Sequence, residues 1–212
     1  LKPGARGGRG TEDYGHVLPP EPLPRILGLL LSLVEGRLGK PLLANRILAW
    51  YPKAMLGSGL LEALVAHEDR EVPKRLLKLL RIYVSFLASC PFCIDMNAKE
   101  YRESGLSDEE ILALRGLRPI DEVASIRADE RAALAYARCM TVTPVAFPQA
   151  IVDELHARFS DRAIVIIAST CAQVNFWARL IQGLGVPPAG FSAECAILEL
   201  DKYRTIRDGP RP

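Results

Sequence analysis

Apolar residues recur along most of the chain with the period of a helix. Ile26, Leu27, Leu30, Leu31 and Val34 form one stripe, with Pro24 near a first-turn position and Gly36 beyond the end. Pro41, Pro52 and Pro73 then each open a further apolar-periodic segment. Proline suits a helix start because the N–H it lacks would have no partner there. Between positions 73 and 88, Leu76, Leu77, Leu80, Val84 and Leu87 share one face while Lys74, Arg75, Lys78 and Arg81 surround the other, which predicts an amphipathic helix. Pro91 begins another helix, closed by Gly105, and Ser107 with Glu110 makes a capping box for a short helix stopped by Gly116. An Ala-rich helix over 129–140 and another over 148–159 follow, and Ser160 caps a long apolar helix reaching about Leu184. The pattern predicts an all-α, single-domain helical bundle.

The long segment is uncharged from Ala163 to Ala178 but includes Ser169, Thr170, Gln173 and Asn175, and it falls short of the roughly 20 apolar residues of a membrane span. It reads as the buried core helix, with Ile164, Ile167, Cys171 and Val174 inside. Gly, Pro and charge crowd the beginning of the chain, so residues 1–23 read as a mobile arm, 24–191 as the helical domain and 192–212 as a C-terminal extension with a frayed RDGPRP end.

Composition narrows the function more than the fold. A 49% hydrophobic content over 212 residues supplies a core, and 27 Lys+Arg against 25 Asp+Glu leave a net charge of only +2, which points to neither nucleic acid nor a membrane as partner. The first twenty residues lack the apolar run of a secretory signal, so a cytoplasmic setting is expected. Five cysteines are too few and too irregularly spaced for a disulfide framework, which turns attention to chemistry at any pair.

That pair is Cys90-Pro91-Phe92-Cys93. If Pro91 is the first helical residue, Cys90 is the N-cap and Cys93 lies one turn in, so both sulfurs meet free N–H groups that favour thiolate, and the spacing lets them join as a disulfide. Redox chemistry, inert structural cysteines and a metal half-site are all compatible with it. Against the metal, Cys139, Cys171 and Cys195 are isolated, as are His16, His67 and His156, whereas tetrahedral zinc usually takes a second closely spaced pair of ligands. Neither a metal nor an organic cofactor is expected, and Cys139 and Cys171 read as small core residues.

The run from Ser85 through Cys90-Pro91-Phe92-Cys93-Ile94-Asp95-Met96, the Glu130–Ala137 "ERAALAYA" helix, and Asn175 with Arg179 ahead of a Gly-Val-Pro turn together resemble the alkylhydroperoxidase D-like branch of the carboxymuconolactone decarboxylase superfamily. The resemblance spans about Pro24 to Phe191. It implies a helical bundle that assembles into homo-oligomers and a thiol-based reduction of a hydroperoxide or disulfide, recycled by a thiol reductant. By the same resemblance Cys93 is the peroxidatic or buried sulfur and Cys90 the more exposed partner. The family places a Glu twelve residues before the first Cys and a His four after the second, where this chain has Lys78 and Asn97.

Asn97 can hold a water but cannot act as the base. Lys78 either faces the pair and stabilises thiolate by its charge, or sits solvated on its helix. Asp95, Glu100 and Ser85 are possible supporting residues: Asp95, two beyond Cys93, points to another face, Glu100, seven beyond, shares its face two turns on, and both read most simply as surface carboxylates. Two other functions fit the same superfamily: a non-catalytic scaffold or small-ligand binder, and decarboxylase-like chemistry, which does not need the cysteine pair.

Overall fold

The computed structural model describes residues 16–23, 25–65, 67, 69–192 and 196–198. Most of the expected arm, the RDGPRP end and Cys195 lie outside the described residues, as do the side chains of Ile26, Leu27 and Leu30. Among the described residues the chain is helical without strands: α1 Arg25–Leu38, α2 Leu43–Leu48, α3 Pro52–Leu64, α4 Lys74–Leu87, α5 Pro91–Asn97, α6 Asp108–Leu114, α7 Ala128–Thr141, α8 Gln149–Arg158 and α9 Asp161–Leu184. Two single 3-10 turns, Ile120–Glu122 and Ala196–Leu198, complete the order and carry no periodic pattern that would announce them.

Several boundaries follow the local signals. Pro52 is the first residue of α3, and Pro73 is the N-cap of α4. Ser107 and Glu110 form the expected capping box, and the Ser160 hydroxyl accepts the Ala163 N–H at the start of α9. Two boundaries differ. α1 runs through Gly36 and ends before Gly39, which takes the left-handed φ of 68° that glycine adopts without steric cost, and Val34 on the expected core stripe is exposed. α5 stops at Asn97, well before Gly105, and the chain goes on in a turn where Glu100 is left-handed (φ 55°).

The centre of the bundle is α4, which packs against α5, α7 and α9. Leu76, Leu77, Leu79, Leu80, Ile82 and Val84 are buried around much of its circumference, so its charged side cannot simply face water. Arg75 meets this constraint by donating to Glu130 (2.8 Å) and Glu110, whose carboxylates also accept the Arg127 and Ser107 N–H groups at the starts of α7 and α6. Burial is the largest single influence and works to raise the Glu110 pKa, but the hydrogen bonds from Arg75, the Ser107 N–H and Ser125, together with the Arg75 charge, hold the group below its ordinary value. Three helix starts are thereby tied to one guanidinium.

α9 runs parallel to α4: Arg162 pairs with Asp69 and Glu71 before the start of α4, and Gln182 donates to Ala88 at its end. It is the one helix among the described residues long and apolar enough to cross a membrane, and here it buries Ile167, Cys171 and Val174 against the bundle while Val165 and Phe176 are exposed. Ile164, expected inside, is only partly buried. The helix is therefore one wall of the core and α4 its middle.

Candidate functional site

The turn from α4 to α5 builds the cysteine site. Ser89 adopts a left-handed φ of 48°, reversing the chain so that Cys90 becomes the N-cap of α5 and Pro91 its first residue. Cys90 and Cys93 lie at disulfide distance, with Cα atoms 5.2 Å apart. The Cys90 Sγ accepts the Cys93 N–H at 3.2 Å, and the Cys90 N–H is held by the Ser85 carbonyl at 3.2 Å. Because α5 has only seven residues, these individual N–H groups matter more than any dipole of the whole helix.

The surroundings oppose the helix start. Both cysteines pack with Ala44 and Ile47 of α2, Ala178 and Ile181 of α9, and Val186, an apolar shell that disfavours thiolate. The expected contrast in exposure between the two sulfurs is not found: Cys90 is 0% and Cys93 3% exposed. Reaction with anything larger than a proton requires this shell to open.

Of the nominated residues, Ser85 and Asn97 come together beside the pair. The Asn97 amide donates to the Ser85 hydroxyl (2.9 Å), which donates to the Arg81 carbonyl (2.7 Å), and Asn97 lies one turn beyond Cys93 on α5. Asp95 is fully buried, and its two carboxylate oxygens accept the N–H groups of Gly190 (2.7 Å) and Ser192 (2.6 Å), while the Ser192 hydroxyl donates to its carbonyl. It is a tether for the segment after α9, each of its oxygens held by a backbone N–H. Glu100 lies on the turn after α5, exposed and paired with Lys99, so it does not share a helix face with Cys93.

Lys78 is half-buried, and its hydrogen bond in this structure does not go to sulfur. Its amine donates to the Lys99 carbonyl at 2.6 Å. That carbonyl lies on the turn after α5, past the end of the helix whose start carries the cysteine pair. Burial, with Arg81 and Lys99 adding repulsion against the pull of Glu100, pushes the Lys78 pKa down to about 8.

A polar group on the neighbouring side of α4 carries no local sequence signal, since its members lie far apart along the chain. Arg81 donates to His67 Nδ1 (2.9 Å), His67 Nε2 contacts Glu62 (3.0 Å), and Gln173 donates to the other Glu62 oxygen. His156 stands apart, beside Asp161 on the exposed side of α8. Among the described residues no group of three or more His, Cys, Asp or Glu is placed to hold a metal ion.

Residues 58–138, from within α3 to α7 and including both cysteines, match the carboxymuconolactone decarboxylase family model. The chain carries a carboxymuconolactone decarboxylase family domain. Outside the matched stretch, the same chain supplies the α2 and α9 walls around the sulfurs. The chain is 28% identical over 112 residues to the uncharacterized protein YdfG of Bacillus subtilis (strain 168), covering 51% of this chain and 72% of that one. In structure it is similar to ATU0492 of Agrobacterium tumefaciens, described as a putative antioxidant defence protein AhpD (29% identity, TM-score 0.57, 65% of this chain and 91% of that one). The fold is shared more widely with the debrominase Bmp8 in complex with 2,3,4-tribromopyrrole, at 20% identity, TM-score 0.69, and coverage of 89% and 97%. The family domain thus has an AhpD-like fold with the cysteine pair at a helix start.

Proposed function

We propose that the chain is a thiol oxidoreductase in which Cys90 and Cys93 alternate between dithiol and disulfide, reducing a hydroperoxide or an external disulfide at the expense of a thiol reductant. The observation that carries this reading is the pair of sulfurs at bonding distance on a helix start, where the Cys93 N–H is directed at the Cys90 sulfur. Fold alone does not choose the reaction, since a debrominase shares it.

With a hydroperoxide, a thiolate attacks the O–O bond, releasing the alcohol after protonation and leaving a sulfenic acid. The second thiol displaces water from it to form the disulfide. One thiol of a dithiol reductant then attacks one sulfur of the bridge, expelling the other as thiolate and forming a mixed disulfide; the reductant's second thiol displaces the remaining cysteine, so the reductant leaves as its own disulfide and its two protons go to the cysteines. Because its sulfur accepts a backbone N–H, Cys90 is the favoured thiolate leaving group in that last half-reaction. Asn97 and Ser85 would orient a water or peroxide oxygen without supplying a base, so the reaction relies on the thiolate fraction already present.

The test is turnover of tert-butyl hydroperoxide and of an aromatic disulfide with dithiothreitol as reductant. Activity lost on replacing either Cys90 or Cys93 supports the reading. Thiols that stay inert to both oxidants would favour the scaffold instead. The same reading includes self-association, for which the exposed stripe Leu56, Leu60 and Leu64 on α3, with Trp50 and Tyr51 beside it, offers an apolar surface. Analytical ultracentrifugation of the wild type and of Leu60→Glu tests that part separately.

A further inference from the structure

Lys74, Lys78 and Arg81 occupy positions i, i+4 and i+7 of α4, which places them along one side of the helix. They line a cleft of about 380 Å³ together with His67, Glu103 and Ser104, and Leu77 gives it an apolar wall. The volume lies within the range of small-molecule sites and well above what one inorganic ion fills.

The charges in this cleft are unevenly answered. Lys78 spends one of its three N–H groups on the Lys99 carbonyl. Arg81 donates one terminal nitrogen to His67 Nδ1 and holds the other 3.6 Å from Glu62, while its buried Nε has no hydrogen-bond partner. A guanidinium can only donate, so His67 Nδ1 is the acceptor and the ring proton lies on Nε2, toward Glu62. Glu103 is the carboxylate on the lining itself; Glu62, off the lining, contacts His67 and stands 3.6 Å from Arg81, and Glu100 belongs to the turn beyond Lys99. The lowered pKa of Lys78 agrees with this imbalance, since Arg81 and Lys99 add repulsion to the cost of burial.

We propose that this cleft binds a small organic molecule through a carboxylate or phosphate group, with Lys78 and Arg81 holding the anion and the apolar body lying against Leu77. Such an anion would accept from the remaining Lys78 N–H groups and the Arg81 guanidinium edge and would relieve the repulsion between Arg81 and Lys78. The cleft is a separate feature from the cysteine pair, and the proposal does not rest on the thiol reading.

The experiment titrates the full chain with inorganic phosphate, phenyl phosphate and benzoate by calorimetry at constant ionic strength, with chloride as control. In parallel, the Lys78 side-chain carbon resonance is followed against pH. Saturable binding of phenyl phosphate or benzoate, tighter than inorganic phosphate, is expected, with the Lys78 midpoint moving upward from about 8 in the complex. Lys78→Met should weaken binding by on the order of tenfold, as loss of a charge-assisted hydrogen bond implies, whereas Lys78→Arg retains it. Tighter binding of inorganic phosphate alone would remove the organic ligand from the proposal and overturn it in this form. Signals no larger than in chloride, or equal binding in wild type and Lys78→Met, would overturn it altogether, and equal loss in the Met and Arg variants would contradict the assignment of Lys78's charge.

Discussion

The start of α5 and the middle of α9 each bury a cysteine completely, Cys90 in one and Cys171 in the other. Burial pushes the Cys171 thiol up to about 12, and inside an unbroken helix the backbone N–H groups around it are already committed to carbonyls. Cys90 is buried as deeply, yet it sits where a helix begins, accepts an N–H that has no carbonyl partner of its own, and has a second sulfur one turn away. The difference between the two regions is therefore local backbone geometry. Depth of burial alone does not distinguish the two cysteines; the backbone around each of them does.

The largest expected effect breaks that comparison outright. Cys90→Ser or Cys93→Ser should reduce peroxide and disulfide turnover to background, while Cys171→Ala retains it and changes only stability, by about 1 kcal/mol as for a small core truncation. Steady-state assays paired with chemical denaturation read both quantities. Loss of turnover in Cys171→Ala at unchanged fold would place chemistry in α9.

The second effect concerns access. Asp95→Asn would turn an amide NH₂ toward a backbone N–H at Gly190 or Ser192, loosening the segment whose Val186 packs with the sulfurs. A cost of about 1.5–3 kcal/mol in stability follows from losing charge-assisted hydrogen bonds. The disulfide should also be reduced by dithiothreitol faster than in wild type, as a stopped-flow thiol assay would show. An unchanged rate in a destabilised variant would mean that this segment does not limit access.

How much of this was readable in the sequence depends on distance along the chain. The capping box of α6, the proline at the start of α3 and the cysteine pair at a helix start are all set within a few residues, and the sequence carries each of them. Asp95 looks like a surface carboxylate until Gly190 and Ser192, nearly a hundred positions away, are brought onto it. The charged side of α4 looks solvated for the same reason, because Glu110 and Glu130 that pair with Arg75 lie on other helices. The end of α5 carries no such local signal: the helix stops at Asn97 with no glycine or proline beside it.

A smaller effect sharpens the comparison by adding what the site lacks. Asn97→His puts a titratable ring one turn beyond Cys93, and because a fitted general base is worth at least about a hundredfold, an unoptimised one should raise turnover near pH 7 by roughly tenfold. Rate against pH for the two proteins checks it. A flat response would mean that the shell, and not the proton, limits the reaction.

The smallest effect is electrostatic. Below about pH 8 Lys78 is charged in the folded and unfolded chain, and folding carries the cost of partly burying that charge. Between about 8 and its ordinary value of 10.5 the unfolded chain keeps a proton that the folded chain has released, so this lysine makes stability rise with pH across that window. Lys78→Met should remove that rise, measured as the difference in denaturation free energy between the two proteins at pH 7.5 and 9.5. Because the Lys78 amine lies at the far end of α5, the same variant should leave the pH dependence of alkylation at Cys90 and Cys93 close to wild type.

The central claim is tested most directly by mapping which sulfurs close and reopen in the folded protein. Wild-type protein is reduced with dithiothreitol, treated with one equivalent of hydrogen peroxide, and alkylated under unfolding conditions before and after a second reduction, with peptides identified by mass. The account predicts a Cys90–Cys93 bridge that forms with peroxide and reopens with thiol, while Cys139 and Cys171 carry the alkyl label throughout. Both members of the pair labelled after peroxide, or a bridge that includes Cys139 or Cys171, would contradict it.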